Sequence, residues 1–404
     1  MSNDSPILKP EEHVLSTLEA DGSRRWLTPK LAKGRLWHRR RVVAYVLLAI
    51  YSGLPWLQIA GEPAILIDLP GRELTLFGLS FLATDTVFLA LALLTGFLAV
   101  FFLTALLGRV WCGWACPQTV YMEFVIRPIE RLFLGTAGKG GRPRKEVAGW
   151  RRAAMYAAFF AISVHLAQTF MAYFVGAQNV RDWIWGSPAA HPAEFAIVAA
   201  LTALMMIDFA YWREQLCIIG CPYGRLQSVL LDRDSKIVAY DAQRGEPRAP
   251  LRKSDGGGFE NRGSCVDCSM CVQVCPTGID IRDGLQLECV NCAQCIDACD
   301  EIMDRTGQPR GLVRYSSEAA LDGQGQRFLR PRVVVYGSLI SGLSLLLLTL
   351  VAQKPSADVT VLRTFGRPFV FVEETGQVQN TMRLKVTNRT DARRTYFVAV
   401  ESPE

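Results

Sequence analysis

Twelve cysteines stand against four histidines in this 404-residue chain, so its chemistry is concentrated in sulfur. Eight of them form two like runs. Cys265-x2-Cys268-x2-Cys271-x3-Cys275 is followed by Pro276, and Cys289-x2-Cys292-x2-Cys295-x3-Cys299 repeats the pattern 24 residues later. Three thiolates at x2 spacing wrap three corners of a cubane because the backbone between them curls around it. The fourth leaves in the other direction and ligates the partner cluster. This assigns one [4Fe–4S] cluster to Cys265, Cys268, Cys271 and Cys299, and a second to Cys289, Cys292, Cys295 and Cys275. Four thiolates also suit zinc, but zinc sites present paired C-x2-C knuckles, not a triple-plus-one run used twice. Two neighbouring clusters with no nucleophile or base beside them conduct electrons and specify no substrate.

The other four cysteines make a looser repeat. Cys112-Gly-Trp-Ala-Cys116-Pro117 and Cys217-Ile-Ile-Gly-Cys221-Pro222 are both C-x3-C-P segments. Proline cannot continue a running helix but suits the first position of a new one, so each second cysteine is expected at a helix start, where the macrodipole favours thiolate. Soft thiolates select Cu(I) or iron–sulfur groups over hard ions. The competing reading is four thiols that merely pack where the chain turns.

Weaker candidates surround these motifs. His165 has no second histidine within a span, which argues against an intramembrane bis-histidine haem, and it reads as a packing residue. Met205 and Met206 read as apolar filler, and Asp208 as a solvated carboxylate at a span end. Arg213, Arg225 and Arg310 lie near the cysteines and suit either the tuning of a cluster potential or surface anchoring.

The elements that carry these cysteines are membrane helices. Five apolar stretches approach the roughly 20 residues needed to cross a bilayer: Val42–Ala60, Thr86–Val110, Ala153–Val175, Phe195–Trp212 and Val333–Val351. Residues 1–41 and 109–152 hold nine Lys or Arg each, while 61–84 and 177–192 hold one each. By the positive-inside rule this alternation puts the N-terminus and every cysteine on the cytoplasmic side and the C-terminus outside. Cysteines there imply metal or redox chemistry and not a disulfide scaffold. The first 41 residues contain no apolar h-region, so the first span is read as the anchor. The net charge of +6 is too mild to suggest nucleic acid, and neither a P-loop nor a G-x-G-x-x-G occurs.

The expected architecture is a polytopic α-helical membrane protein of about five spans with an inserted 2[4Fe–4S] ferredoxin-like α+β domain and a short C-terminal β segment. Its parts are a basic tail (1–41), helices one to four with both C-x3-C-P motifs (42–252), the ferredoxin-like domain (253–330), a fifth helix (331–353) and the β segment (354–404). Ser254–Ser264 reads as a linker. Strands are expected at Val359–Leu362, Val370–Val372, Met382–Val386 and Tyr396–Val400.

Three blocks in order, Arg109–Glu130, Asp208–Arg248 and Cys265–Tyr315, make the chain resemble the cytochrome c oxidase accessory family CcoG/FixG, also called RdxA. The resemblance extends from about Arg35 to the C-terminus. It implies a multi-pass protein of the bacterial inner membrane, with the ferredoxin domain cytoplasmic and an immunoglobulin-like domain, here represented in part, in the periplasm. It implies reduction of Cu(II) to Cu(I) for the copper site of a cbb-type oxidase. Copper is then substrate, Cys112, Cys116, Cys217 and Cys221 handle copper or electrons, and the partners are oxidase-assembly and copper-transfer proteins and a cytoplasmic electron donor. Looser likeness to NapH- and NosR-type membrane ferredoxins implies an alternative, a quinol-linked electron-transfer subunit without copper chemistry. A non-catalytic assembly platform is a third reading.

Overall fold

A helix of 19 residues, α1 (Arg35–Gly53), opens the membrane part. The computed structural model describes residues 16–17, 23–59, 61–82, 85–135, 147–250, 262–325, 327, 329–353, 357–363, 369–372, 376–388 and 394–399. Four further long helices follow: α2 (Thr86–Leu107), α3 (Gly149–Val175), α4 (Pro192–Ile207) and, after the ferredoxin helix α5 (Gln294–Arg305), α6 (Pro331–Ala352).

Among the described residues four helical segments, not five, are long and apolar enough to cross a membrane: α2, α3, α4 with its continuation to Trp212, and α6. The first expected span departs for a compositional reason. α1 starts seven residues earlier than the apolar run and carries Arg35, Arg39, Arg40 and Arg41 in its first two turns, then gives way to a 3-10 turn and a short strand at Gln58–Ile59. Its apolar part, Val42–Gly53, reaches about 18 Å at 1.5 Å per residue, short of the roughly 30 Å hydrocarbon core. α1 still runs along α3. Tyr51 near its C-terminal end donates from its hydroxyl to the Leu166 carbonyl (3.4 Å), and the Tyr173 hydroxyl donates to the Tyr51 carbonyl (2.8 Å).

α2 is apolar on every face, with mean hydropathy 2.6, and none of its apolar window is buried within the chain. Such a surface is stable only when lipid covers it. α2 packs against α6, while α3 packs against α4. The core between the membrane part and the cysteine-bearing segments is formed by Met122, Ile126, Met155, Phe159, Leu166 and Phe209.

Between α1 and α2 the chain forms an antiparallel meander, Ile65–Asp68, Glu73–Leu76 and Leu79–Leu82, which the hydrophobic pattern alone did not announce. Its second turn uses Phe77 and Gly78, both at positive φ (51° and 82°), the geometry of a two-residue hairpin loop.

The ferredoxin part is closed by two antiparallel strands far apart in sequence, Ile237–Tyr240 and Val313–Ser316, in register Val238↔Tyr315 and Tyr240↔Val313. All four residues of the first strand are buried, and with α5 they form the lid of a core containing Ile279, Ile281, Ile296, Met303 and Leu312. Near the C-terminus Ala357–Arg363 pairs with Met382–Asn388, and Val370–Val372 with Gln377–Gln379. Three of the four expected strands are therefore present. Residues 396–399 adopt no strand, and 400 lies outside the described residues, as do residues 254–261 of the expected linker.

Candidate metal centres

The two ferredoxin runs repeat in backbone conformation as well as spacing. Asp267 and Ser269 sit at φ 49° and 53°, and Asn291 and Ala293, 24 positions on, at 56° and 60°. A non-glycine residue rarely adopts this region. Placed between x2-spaced cysteines it turns successive N–H groups and sulfurs inward, forming the anion-binding concavity found at iron–sulfur sites.

Each run closes with help from the other. One cavity is lined by Cys265, Cys268, Cys271 and Cys299, and walled by Tyr240, Met303 and Leu312. A second is lined by Cys271, Cys275, Cys289, Cys292 and Cys295, and walled by Val238, Ile279 and Ile281. Together the two cavities are lined by all eight cysteines of the runs, with Cys271 lining both. Among the described residues no three His, Cys, Asp or Glu side chains draw close enough to hold a single metal ion. Sulfurs spread around a cavity fit a cubane and not a zinc ion. Burial, with a smaller contribution from neighbouring thiols, pushes the thiols of Cys271, Cys289 and Cys299 up to about 12 and that of Cys292 to about 11. Such cages carry thiolate only against a bound cationic group, so this donor set fits an iron–sulfur cluster.

The structure also gathers the other four cysteines. Cys217 lies close enough to Cys112, Cys116 and Cys221 for each to act on its thiol, which burial and then these neighbours push well up. As expected, Cys116 and Cys221 precede helices that begin with proline, Pro117–Tyr121 and Pro222–Leu230. The helix start does pull the Cys116 thiol down through the N–H groups of Thr119 and Gln118, but burial outweighs it and the net direction is up. Burial likewise raises Cys112 to about 11, against the pull of Arg109, and its sulfur donates to Gln227 Oε1 at 3.1 Å.

The charged frame around these thiols went unnoticed in the sequence. Arg109, 5 % exposed, donates from Nε to Gln227 (3.2 Å) and from Nη1 to the Cys289 carbonyl (3.1 Å). Arg127 pairs with Glu123 (2.8 Å) and Glu214 (3.6 Å), all three buried. The signal available was the charge of Arg109, Glu123 and Arg127 within an otherwise apolar segment.

Several weaker candidates resolve. His165 meets Ser52 Oγ (3.3 Å), a packing role. Met205 and Met206 pack on the membrane core. Asp208 is not simply solvated: it accepts from Gln118 Nε2 at 3.0 Å. Arg213 is buried and pairs with Glu130, whereas Arg310 pairs with Asp304 on the surface.

Membrane helices, duplicated cysteine cages and a third group of thiols define a membrane polyferredoxin. Family comparison agrees. Residues 212–318 match a 4Fe-4S dicluster domain, 89–135 a 4Fe-4S binding domain, and 347–404 the IG-like fold at the C-terminus of FixG. The chain is 34% identical to protein RdxA of Cereibacter sphaeroides over 391 residues, 92% of this chain and 81% of that protein. It is 33% identical to nitrogen fixation protein FixG of Rhizobium meliloti over 421 residues, 94% of this chain and 79% of that protein. Protein RdxB of Cereibacter sphaeroides is 34% identical over 393 residues, 93% of this chain and 81% of that protein. No solved structure matches. The chain belongs to the FixG/RdxA family of multi-pass, 4Fe–4S-binding membrane proteins.

Proposed function

We propose that this protein reduces Cu(II) to Cu(I) at the cytoplasmic membrane surface and supplies the product for copper-site assembly of a cbb-type cytochrome c oxidase. The observation that carries the reading is the placement of four gathered thiols, Cys112, Cys116, Cys217 and Cys221, directly beside a four-cysteine cage. Cys265, Cys268, Cys271 and Cys299 would hold one [4Fe–4S] cluster, and Cys275, Cys289, Cys292 and Cys295 the other. When bound, the clusters supply one-electron transfer from a cytoplasmic donor.

The chain's own residues do the rest. The αL residues Asp267, Ser269, Asn291 and Ala293 aim the sulfurs, and the apolar walls exclude water. Arg109 and Gln227 orient Cys112. One electron converts one Cu(II) to Cu(I), which thiolate binds better than Cu(II), so the site retains product until a copper-transfer partner takes it. Purified protein, reduced and then freed of excess dithionite, is expected to form Cu(I) from added Cu(II), with Cys217→Ala and Cys221→Ala each losing at least tenfold in rate. Unchanged rates in both variants would remove the thiols from the mechanism.

A quinol-linked reading finds support in an apolar slot between α3 and α4, lined by Phe160, Phe195, Trp183 and the amide of Gln168. Its other polar groups are Ser187, His191 and Glu194 around the start of α4 and Thr202 further along it, and the slot extends to Met206 near that helix's cysteine-proximal end.

A further inference from the structure

The four thiols do not stand equally near both cages. Gly113 lies between Cys112 and Cys116, and a Cβ on it would come within 2.6 Å of the carbonyl oxygens of both Val290 and Asn291, the residues between Cys289 and Cys292. Arg40, 1 % exposed, donates from Nε to the Gly113 carbonyl at 2.8 Å. The same guanidinium stacks over Phe124 at 5.4 Å, and its Nη1 is buried without a hydrogen-bond partner. Its charge acts on the thiol of Cys292. Trp114 Nε1 donates to the Tyr315 hydroxyl (3.0 Å), which donates to the Asn291 carbonyl (2.9 Å). Arg109 bridges the Cys289 carbonyl to Gln227, the partner of Cys112. The Gly113 contact, the Trp114–Tyr315 relay and the Arg109 bridge all land on the segment Cys289–Cys292, and Arg40 holds Gly113 against it. Among the described residues no hydrogen bond joins either C-x3-C segment to Cys265, Cys268 or Cys299.

We infer that Arg40 and the Gly113 contact couple the four-thiol site to the Cys275–Cys289–Cys292–Cys295 cage alone, making Arg40 a positioning residue that also sets the potential of that cage. The inference deepens the proposed function and rests on it. Electron transfer falls off exponentially with the gap between centres, so backbone in van der Waals contact decides which cage serves the thiols. A buried guanidinium stabilises the more negative, reduced state of a group beside it and so raises its potential.

The test uses the full chain, purified without oxygen and titrated potentiometrically with EPR detection. Arg40→Gln is expected to lower the midpoint potential of one cluster signal and leave the other in place, with Arg40→Lys restoring most of the shift. The affected signal is expected to be the one that Cys275→Ser removes. Equal shifts in both signals, or a shift in neither, overturn the inference. In wild-type protein, free of any folding defect, Co(II) bound at the thiols would act as a paramagnetic probe that dithionite does not reduce. It is expected to speed the spin relaxation of that same signal, with the effect lost in Cys217→Ala. Faster relaxation of the other signal, of both equally, or of neither overturns the assignment. An iron-poor preparation would overturn the parent reading as well, whereas full iron with the wrong relaxation pattern overturns this inference only.

Discussion

Asp297 of the ferredoxin helix α5 caps the first membrane-proximal helix from 260 residues away: its Oδ2 accepts the backbone N–H of Trp37 at 2.7 Å. Its Oδ1 accepts the N–H of Leu36 at 3.1 Å. Two of the four N–H groups that α1 cannot satisfy internally are thus met by one buried carboxylate. The cap needs Gly34, because a Cβ there would overlap the Asp297 side chain. Removing the carboxylate in Asp297→Ala leaves buried donors unpaired and is expected to cost about 2 kcal/mol. Asp297→Asn, which keeps one acceptor, should lose less, and Gly34→Ala should lose as much as the alanine variant or more. Thermal melts of the detergent-solubilised protein rank the three. Equal midpoints for Asp297→Ala and wild type would show that the cap is not structural.

Iron stoichiometry checks the division of cysteines. Because Cys275 leaves the first run to line the second cavity, Cys275→Ser is expected to disturb the cluster of Cys289, Cys292 and Cys295, not that of its own run. Wild type should carry about eight iron per chain with no zinc, and the variant about four. Cys299→Ser should also fall to about four, but with the other EPR signal surviving. If both variants kept the same signal, the crossed assignment would be wrong.

The cysteine-lined cavities were legible in the sequence because their information is local: the x2 spacing keeps three sulfurs of each run together, and the run is repeated. The membrane helices were legible because apolar runs need no partner to be recognised, and α1 misled because its apolar run was read on to Ala60, whereas the helix ends at Gly53 and its first two turns are basic. What the sequence hid is long-range. Arg40 meets Gly113 across 73 residues, and Arg109 meets Gln227 across 118. Strand Ile237–Tyr240 finds its partner beyond both cysteine runs. No spacing rule encodes such contacts, and the charges involved looked like positive-inside anchors until burial showed otherwise.

Gln227 is fully buried and serves three neighbours: it accepts from Cys112 Sγ and Arg109 Nε and donates to Thr104 Oγ1 at 3.3 Å. Gln227→Leu keeps much of the volume but leaves the Arg109 guanidinium short of a partner. The expected loss is about 2 kcal/mol, or about 4–8 °C in melting midpoint. Gln227→Glu restores an acceptor with opposite charge and should recover most of it. A leucine variant as stable as wild type would mean that solvent reaches Arg109.

The Glu123–Arg127 pair sets an acid limit on stability. Burial alone would push the Glu123 carboxyl up, but Arg127 and then Arg40 outweigh it and hold the group below its ordinary value. Its folded pKa is therefore depressed relative to the unfolded chain. The sign follows: the contribution is fully present above the unfolded value, roughly 4.3 for glutamate, and is lost as pH falls through the lower folded value. Gln294 Nε2 also donates to this carboxylate, so protonation disturbs a contact between the helical turn Met122–Ile126 and α5. Glu123→Gln should flatten the fall in stability below about pH 4.5. It should also reduce stability at neutral pH by about 3–5 kcal/mol, because it leaves Arg127 buried beside fewer negative charges. Melting midpoints of both proteins between neutral pH and the acid limit measure the difference, and parallel pH profiles would show that Glu123 is not the titrating group.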